Sequence, residues 1–165
     1  MAINTLTTFR AAQRVMADVT GIKVVHGVTP PTSGDGSHSL IRPATDKLEE
    51  WPAIVMGSGP AIWKPMSGLV RIEPWTLNCA VWRPRDAYGP EAAYDALVTD
   101  MGNIVAAVLA RGKAYAIDAG LQSLLVRSFE AIDGIEWPAG SNAWYLVLPF
   151  EAEIVVEYST QLVAA

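Results

Sequence analysis

Cysteine, histidine and clustered basic residues are scarce in this sequence, and each scarcity excludes something. Cys79 is the one cysteine, so no disulfide can form within the chain. His26 and His38 are the only histidines, and even with Asp35 they fall short of the four ligands that a structural metal site uses. The 165 residues carry 12 Lys+Arg against 17 Asp+Glu, a net charge of −5, and the basic residues are scattered. A surface that grips phosphate needs them clustered, so specific nucleic-acid binding is not expected. No unbroken apolar run reaches the roughly 18 residues of a membrane span. The first residues lack the basic stretch, apolar segment and small-residue cleavage site of a secretory signal. The expectation is a single soluble domain over residues 1–165, made in the cytoplasm.

Signs of catalysis are equally thin. No glycine-rich run has nucleotide-binding spacing, and Arg111-Gly112-Lys113 reads as a helix end. The GSG at 57–59 lacks the glycine two residues before Ser58 that a nucleophile elbow carries. Cys79 falls in mid-strand on an apolar face, where a free cysteine behaves as a small hydrophobe. Catalytic, cofactor-binding and metal-ligating residues are therefore all read as none, and the chain as a non-enzyme.

What is present is 51% hydrophobic residues, enough for a real core, in the order helix, weak strand, long loop, two or three strands, long helix and two strands. Ile3, Leu6, Phe9, Ala12, Met16 and Val19 recur at helical spacing over 4–20, with Asn4 or Thr5 as cap and Gly21 as stop. Residues 22–28 read as a short strand. A Pro/Gly/Ser-rich stretch follows and predicts a long loop at about 27–50. From Trp51 onward come short apolar runs, the last with Trp75, Leu77, Cys79 and Val81 on one face and Thr76, Asn78, Ala80 and Trp82 on the other. Pro90 to Gly112 reads as a long helix whose stripe of Tyr94, Leu97, Met101, Ile104, Val105, Val108 and Leu109 should face the core. Gly102 inside it points to close packing there. Residues 123–132 and 143–158 read as strands, with Asp133-Gly134 as a turn and Pro149 marking an edge or a bulge. The fold class is therefore α+β: an antiparallel or mixed sheet with an N-terminal helix and one long central helix packed on one face.

Two features remain for function. Of six tryptophans, Trp82 and Trp137 are hard to bury in one sheet-and-helix layer, which makes them candidates for a subunit interface or a sugar-stacking surface. The acidity is also localised, because residues 101–165 hold three basic and seven acidic side chains, with Glu151, Glu153 and Glu157 on one face of the last strand.

The segments LTTFRAAQRVMADV, PAIVMG, WTLNCAVWRPRD, YGPEAAYDALVTDMGNIVAAVLA, SLLVRSFEAI and AWYLVLPFEAEIVVEY, taken in order, resemble the tail terminator proteins that complete the tails of long-tailed bacteriophages. The resemblance lies in element order and covers nearly the whole chain. It implies a structural virion protein of the tail and neck that forms a homo-hexameric ring, caps the tube of major tail tube protein, and joins it to the head-side connector or stopper. It implies no cofactor and no membrane, and DNA that passes through without specific binding. Glu151, Glu153 and Glu157 would then be candidates to line the lumen. The alternatives are another neck component, a head–tail stopper or adaptor, and a carbohydrate- or small-ligand-binding domain.

Overall fold

Backbone pairing along three long strands organises the molecule. The computed structural model describes residues 4–22, 24–26, 52–85, 89–111, 121–137 and 140–159. The loop expected at about 27–50, with His38 and Asp35, lies outside them. The elements are α1 (Thr5–Ala17), β1 (Val24–His26), β2 (Ala53–Met66), β3 (Leu69–Pro84), α2 (Pro90–Arg111), β4 (Leu121–Phe129), β5 (Asp133–Glu136) and β6 (Trp144–Ser159). The sheet order is β1-β2-β3-β6-β4, with β5 also paired to β6. All pairings are antiparallel except β1 with β2. The fold is the α+β arrangement expected from the sequence.

Each long strand is 14 to 16 residues, well beyond the usual 5–6. β2 and β3 form a hairpin closed by Ser67 and Gly68, with Gly68 at φ +76° where a side chain would be strained. The hairpin also needs Gly59: a Cβ there would lie 2.8 Å from Asn78 Nδ2 and 3.0 Å from the Thr76 carbonyl oxygen. β6 runs antiparallel to β3 from Leu69↔Ser159 to Pro84↔Tyr145.

Two expectations for the C-terminal strands change. Asp133-Gly134 is not a turn, because both residues pair with β6 as the start of β5. The chain continues from β4 into β5 along the same edge of β6, and it reverses between β5 and β6, where Trp137 N–H donates to the Ala143 carbonyl at 2.9 Å. Pro149 is not on an edge but in the middle of the sheet, opposite Ala80. Its carbonyl accepts from Glu130 N–H at 2.8 Å, so its missing N–H also faces the β4–β5 side. That is where the pairing is interrupted, at residues 130–132. The proline is accommodated by an irregularity in its neighbour.

Both helices cover one face. From α1, Phe9, Ala12, Val15 and Met16 are buried, as is Val19 just beyond it, and Phe9 stacks on Trp75 at 6.3 Å between centroids. Leu6, expected inside, is half exposed, and Ile3 lies outside the described residues. Asn4 caps the helix, its Oδ1 accepting from Thr7 N–H at 3.0 Å. The sheet supplies Trp75, Leu77, Cys79 and Val81 from β3 and Leu148, Phe150, Ala152, Ile154 and Val156 from β6, all buried as the period-two pattern requires. Tyr158 ties the end of β6 to α1 through its hydroxyl, 2.7 Å from Thr8 Oγ1.

α2 is held by an ion pair. Asp100, buried on its sheet-facing side, accepts from Arg83 Nε at 2.7 Å and from Arg83 Nη2 at 2.8 Å. Arg83 also passes close to Gly21, four residues beyond the end of α1, where a Cβ would be 3.9 Å from its guanidinium. The helix is long and apolar enough to cross a membrane by length and composition alone. Here it lies along the sheet, with Leu97, Ile104 and Val108 buried.

Part of its expected core stripe points elsewhere. Tyr94, Val105 and Leu109 are exposed, as is Val98, and Leu109 keeps 82% of its surface. Gly102 is exposed too, and among the described residues a Cβ added there would meet nothing within 4 Å, so no close packing there calls for the glycine.

Two stability measurements by chemical denaturation follow. Asp100→Ala leaves the Arg83 charge partly buried without its partner and is expected to cost about 3 kcal/mol. Gly102→Ala is expected to stabilise the isolated chain by ~1 kcal/mol through helix propensity alone.

Candidate functional site

The face of the sheet opposite the helices has two zones. At one end, Val55, Ala80, Trp82 and Val147 form a second, smaller buried cluster, with Ile135, Trp137 and Tyr145 packed over it. Trp82 has 0% exposure and its ring lies 5.8 Å from that of Tyr145. As a contact surface for another subunit or for a sugar, Trp82 is therefore not available in this fold: its own chain covers it. Trp137 lies beside it, half-buried. Period-two alternation placed Trp82 on the face away from the helices correctly, but the cover arrives through the β5–β6 hairpin, whose register local sequence does not show.

The other zone carries Glu151, Glu153 and Glu157. All three are partly exposed, and none is unpaired. Arg127 of β4 reaches Glu153 Oε2 at 3.1 Å and Glu151 Oε1 at 3.6 Å. Arg71 of β3 lies 3.3 Å from Glu157 and 2.6 Å from Glu73, the latter an ionic contact without hydrogen-bond alignment. Four carboxylates thus share two guanidinium groups, and the zone keeps a negative excess that is weaker than the sequence alone implies. Exposed pairs of this kind each contribute little to stability.

The nucleophile candidates have structural roles. Ser58 Oγ accepts from the Trp75 indole N–H at 2.9 Å. Cys79 is buried in the main core, and burial pushes its thiol far above the usual cysteine range. Among the described residues, no three His, Cys, Asp or Glu side chains gather in a way that could hold a metal ion.

The surfaces that call for a partner are apolar, and both lie where the sequence reading did not place them. One is the outer stripe of α2, formed by Tyr94, Val98, Val105 and Leu109. At its N-terminal end it borders an open cleft of about 400 Å³ lined by Glu91, Tyr94, Asp95 and Leu146. The other is the outer half of the β2–β3 hairpin. Among the described residues β1 pairs only with Ala53–Val55, and the edge of β2 beyond them carries Ile62, Trp63 and Met66, each about half exposed, with Lys64 among them. Alternation puts Ile62, Lys64 and Met66 on one side of the strand and Trp63 on the other. Pro60 and Pro65 interrupt the edge as a backbone template, which leaves side chains as its means of contact.

The sequence signal for the first surface was an apolar arc on α2 too wide for one sheet contact. For the second it was the apolar residues of PAIWKPM between prolines. Compared with models of known protein families the chain matches none, and comparison with curated proteins also finds no match.

Burial of Cys79 sets a chemical expectation. Its thiol should resist iodoacetamide in the folded chain up to alkaline pH and react stoichiometrically in denaturant, as read by intact mass.

Proposed function

We propose that this chain is a structural assembly subunit, a tail-completion protein that closes with copies of itself into a hexameric ring. The ring caps the tail tube of a long-tailed phage and joins it to the head-side connector. The observation that carries this reading is the pair of apolar surfaces left exposed among the described residues, the α2 stripe and the β2–β3 arm. Fully burying one large apolar side chain contributes roughly 1.5–3 kcal/mol. The exposed apolar residues on α2 and on the arm therefore leave several kcal/mol, to order of magnitude, to be gained by association.

Two different surfaces are also what a ring requires. A two-fold dimer uses the same patch twice, whereas a closed ring joins one patch to a different one on the next copy. The resemblance in element order supplies the tail-tube context. The negative excess around Glu151, Glu153 and Glu157 fits a surface that DNA passes without adhering, since like charge repels phosphate. Within this reading the role is non-enzymatic and its place is the virion neck.

Electron microscopy and native mass measurement on the purified chain, alone and with tubes assembled from the cognate tail tube protein, test the proposal. Closed rings of six, free or seated on tube ends, are the expected result. A chain that stays monomeric and leaves tube ends bare overturns it.

A further inference from the structure

The cleft beside α2 and the arm at the far end of the sheet are complementary in charge as well as in apolarity. Glu91 and Asp95 flank Tyr94 at the cleft and are exposed, and among the described residues no cation pairs with either carboxylate. On the arm, Lys64 is exposed between Ile62 and Met66 on the same side of β2, and among the described residues its ammonium has no carboxylate partner either. Its cross-strand neighbour is Arg71, whose own charge is already taken by Glu73 and Glu157. One surface thus presents apolar, cation, apolar, and the other presents two carboxylates between apolar side chains. Each holds the charge that the other lacks.

The two cannot meet within one chain. Met66 pairs with Leu69 at one end of β3, while Leu146 of the cleft pairs with Arg83 at the other. These positions stand apart by nearly the whole length of the strand, about 45 Å at the rise of an extended chain. The hairpin is a rigid extension of the sheet, since β3 is paired with β6 as far as Ser159. Any partner that the arm finds for the cleft must be another copy.

We infer that the segment Ile62–Met66 of one copy docks on the Glu91–Tyr94–Asp95–Leu146 cleft and the adjoining α2 stripe of the next, with Lys64 paired to Glu91 and Asp95. This rests on the assembly reading above and specifies its contact. Joined in this way, each copy uses its arm on one neighbour and its cleft on the other, the heterologous geometry that repeats around a ring. Gly102 fits the same contact: with no Cβ between Val98 and Val105, the partner backbone can approach the helix closely. The charge pair sets register, and the apolar flanks supply most of the affinity.

Charge reversal tests it. Lys64→Glu is one variant and the double change Glu91→Lys with Asp95→Lys is the other. All three side chains are exposed and, among the described residues, without an ion pair, so both variants should fold, with circular dichroism as the control. Sedimentation velocity, or tube capping if the parent assembles only on tubes, reads the outcome. Each variant alone should lose the oligomer, because its reversed surface meets like charge. An equal mixture should regain it, because the arm reversed to negative then meets the cleft reversed to positive, and the unchanged surfaces still match. Variants that assemble like the parent overturn this contact while leaving a ring through other surfaces standing. A mixture that fails to recover also overturns it. A parent that neither assembles nor caps tubes overturns both the contact and the ring.

Discussion

The rotation of α2 about its own axis decides what this molecule shows to its surroundings. The helix is apolar over more of its circumference than the sheet can cover, so packing alone would tolerate several rotational settings. The Arg83–Asp100 pair selects one of them. A buried charge left without its partner costs several kcal/mol, so any setting that removes Asp100 from Arg83 is strongly disfavoured. With that setting fixed, Leu97, Ile104 and Val108 go into the core, and Tyr94, Val98, Val105 and Leu109 are left outside. One ion pair thereby converts an evenly apolar helix into a two-sided one.

The sheet imposes the second constraint. Strands of 14 to 16 residues carry the β2–β3 hairpin to the far end of the sheet, where its outer half forms the arm. At that end α1 reaches β6, where Tyr158 meets Thr8, while Ile62, Trp63 and Met66 on the outer strand β2 stay about half exposed. The opposite face solves its own exposure in two ways. At one end aromatic residues from the terminal hairpin cover Trp82 and Val147. At the other, arginines from the flanking strands bridge the glutamates of β6.

How much of this was legible in the sequence varies with the period of the pattern. Both faces of β3 and β6 could be read directly, because alternation leaves only two choices and Leu77, Cys79 and Val81 settle which is inside. Asn4 as a cap and Pro90 as a helix start were legible for the same reason: local chemistry determines them. The setting of α2 was not, because the apolar residues at helical spacing fit the core equally well until Asp100 finds Arg83, in a strand well before it in the chain. The burial of Trp82 and the bridging of Glu151 and Glu153 by Arg127 depend on cross-strand register. So does the central place of Pro149, which was tolerable only because β4 breaks into β5 beside it. The exposure of the arm and the α2 stripe emerges only from the assembled fold, where residues that look like core lie uncovered among the described residues.

The account stands on those two apolar surfaces being covered by other copies of the chain. Hydroxyl-radical footprinting with residue-resolved mass spectrometry, comparing the assembled and the dissociated protein, measures that cover directly. Protection on assembly should concentrate at Trp63, Met66, Tyr94 and Leu109, with Cys79 and Trp82 unreactive in both states because their own chain buries them. Unchanged oxidation of the arm and the α2 stripe in a fully assembled sample would contradict it.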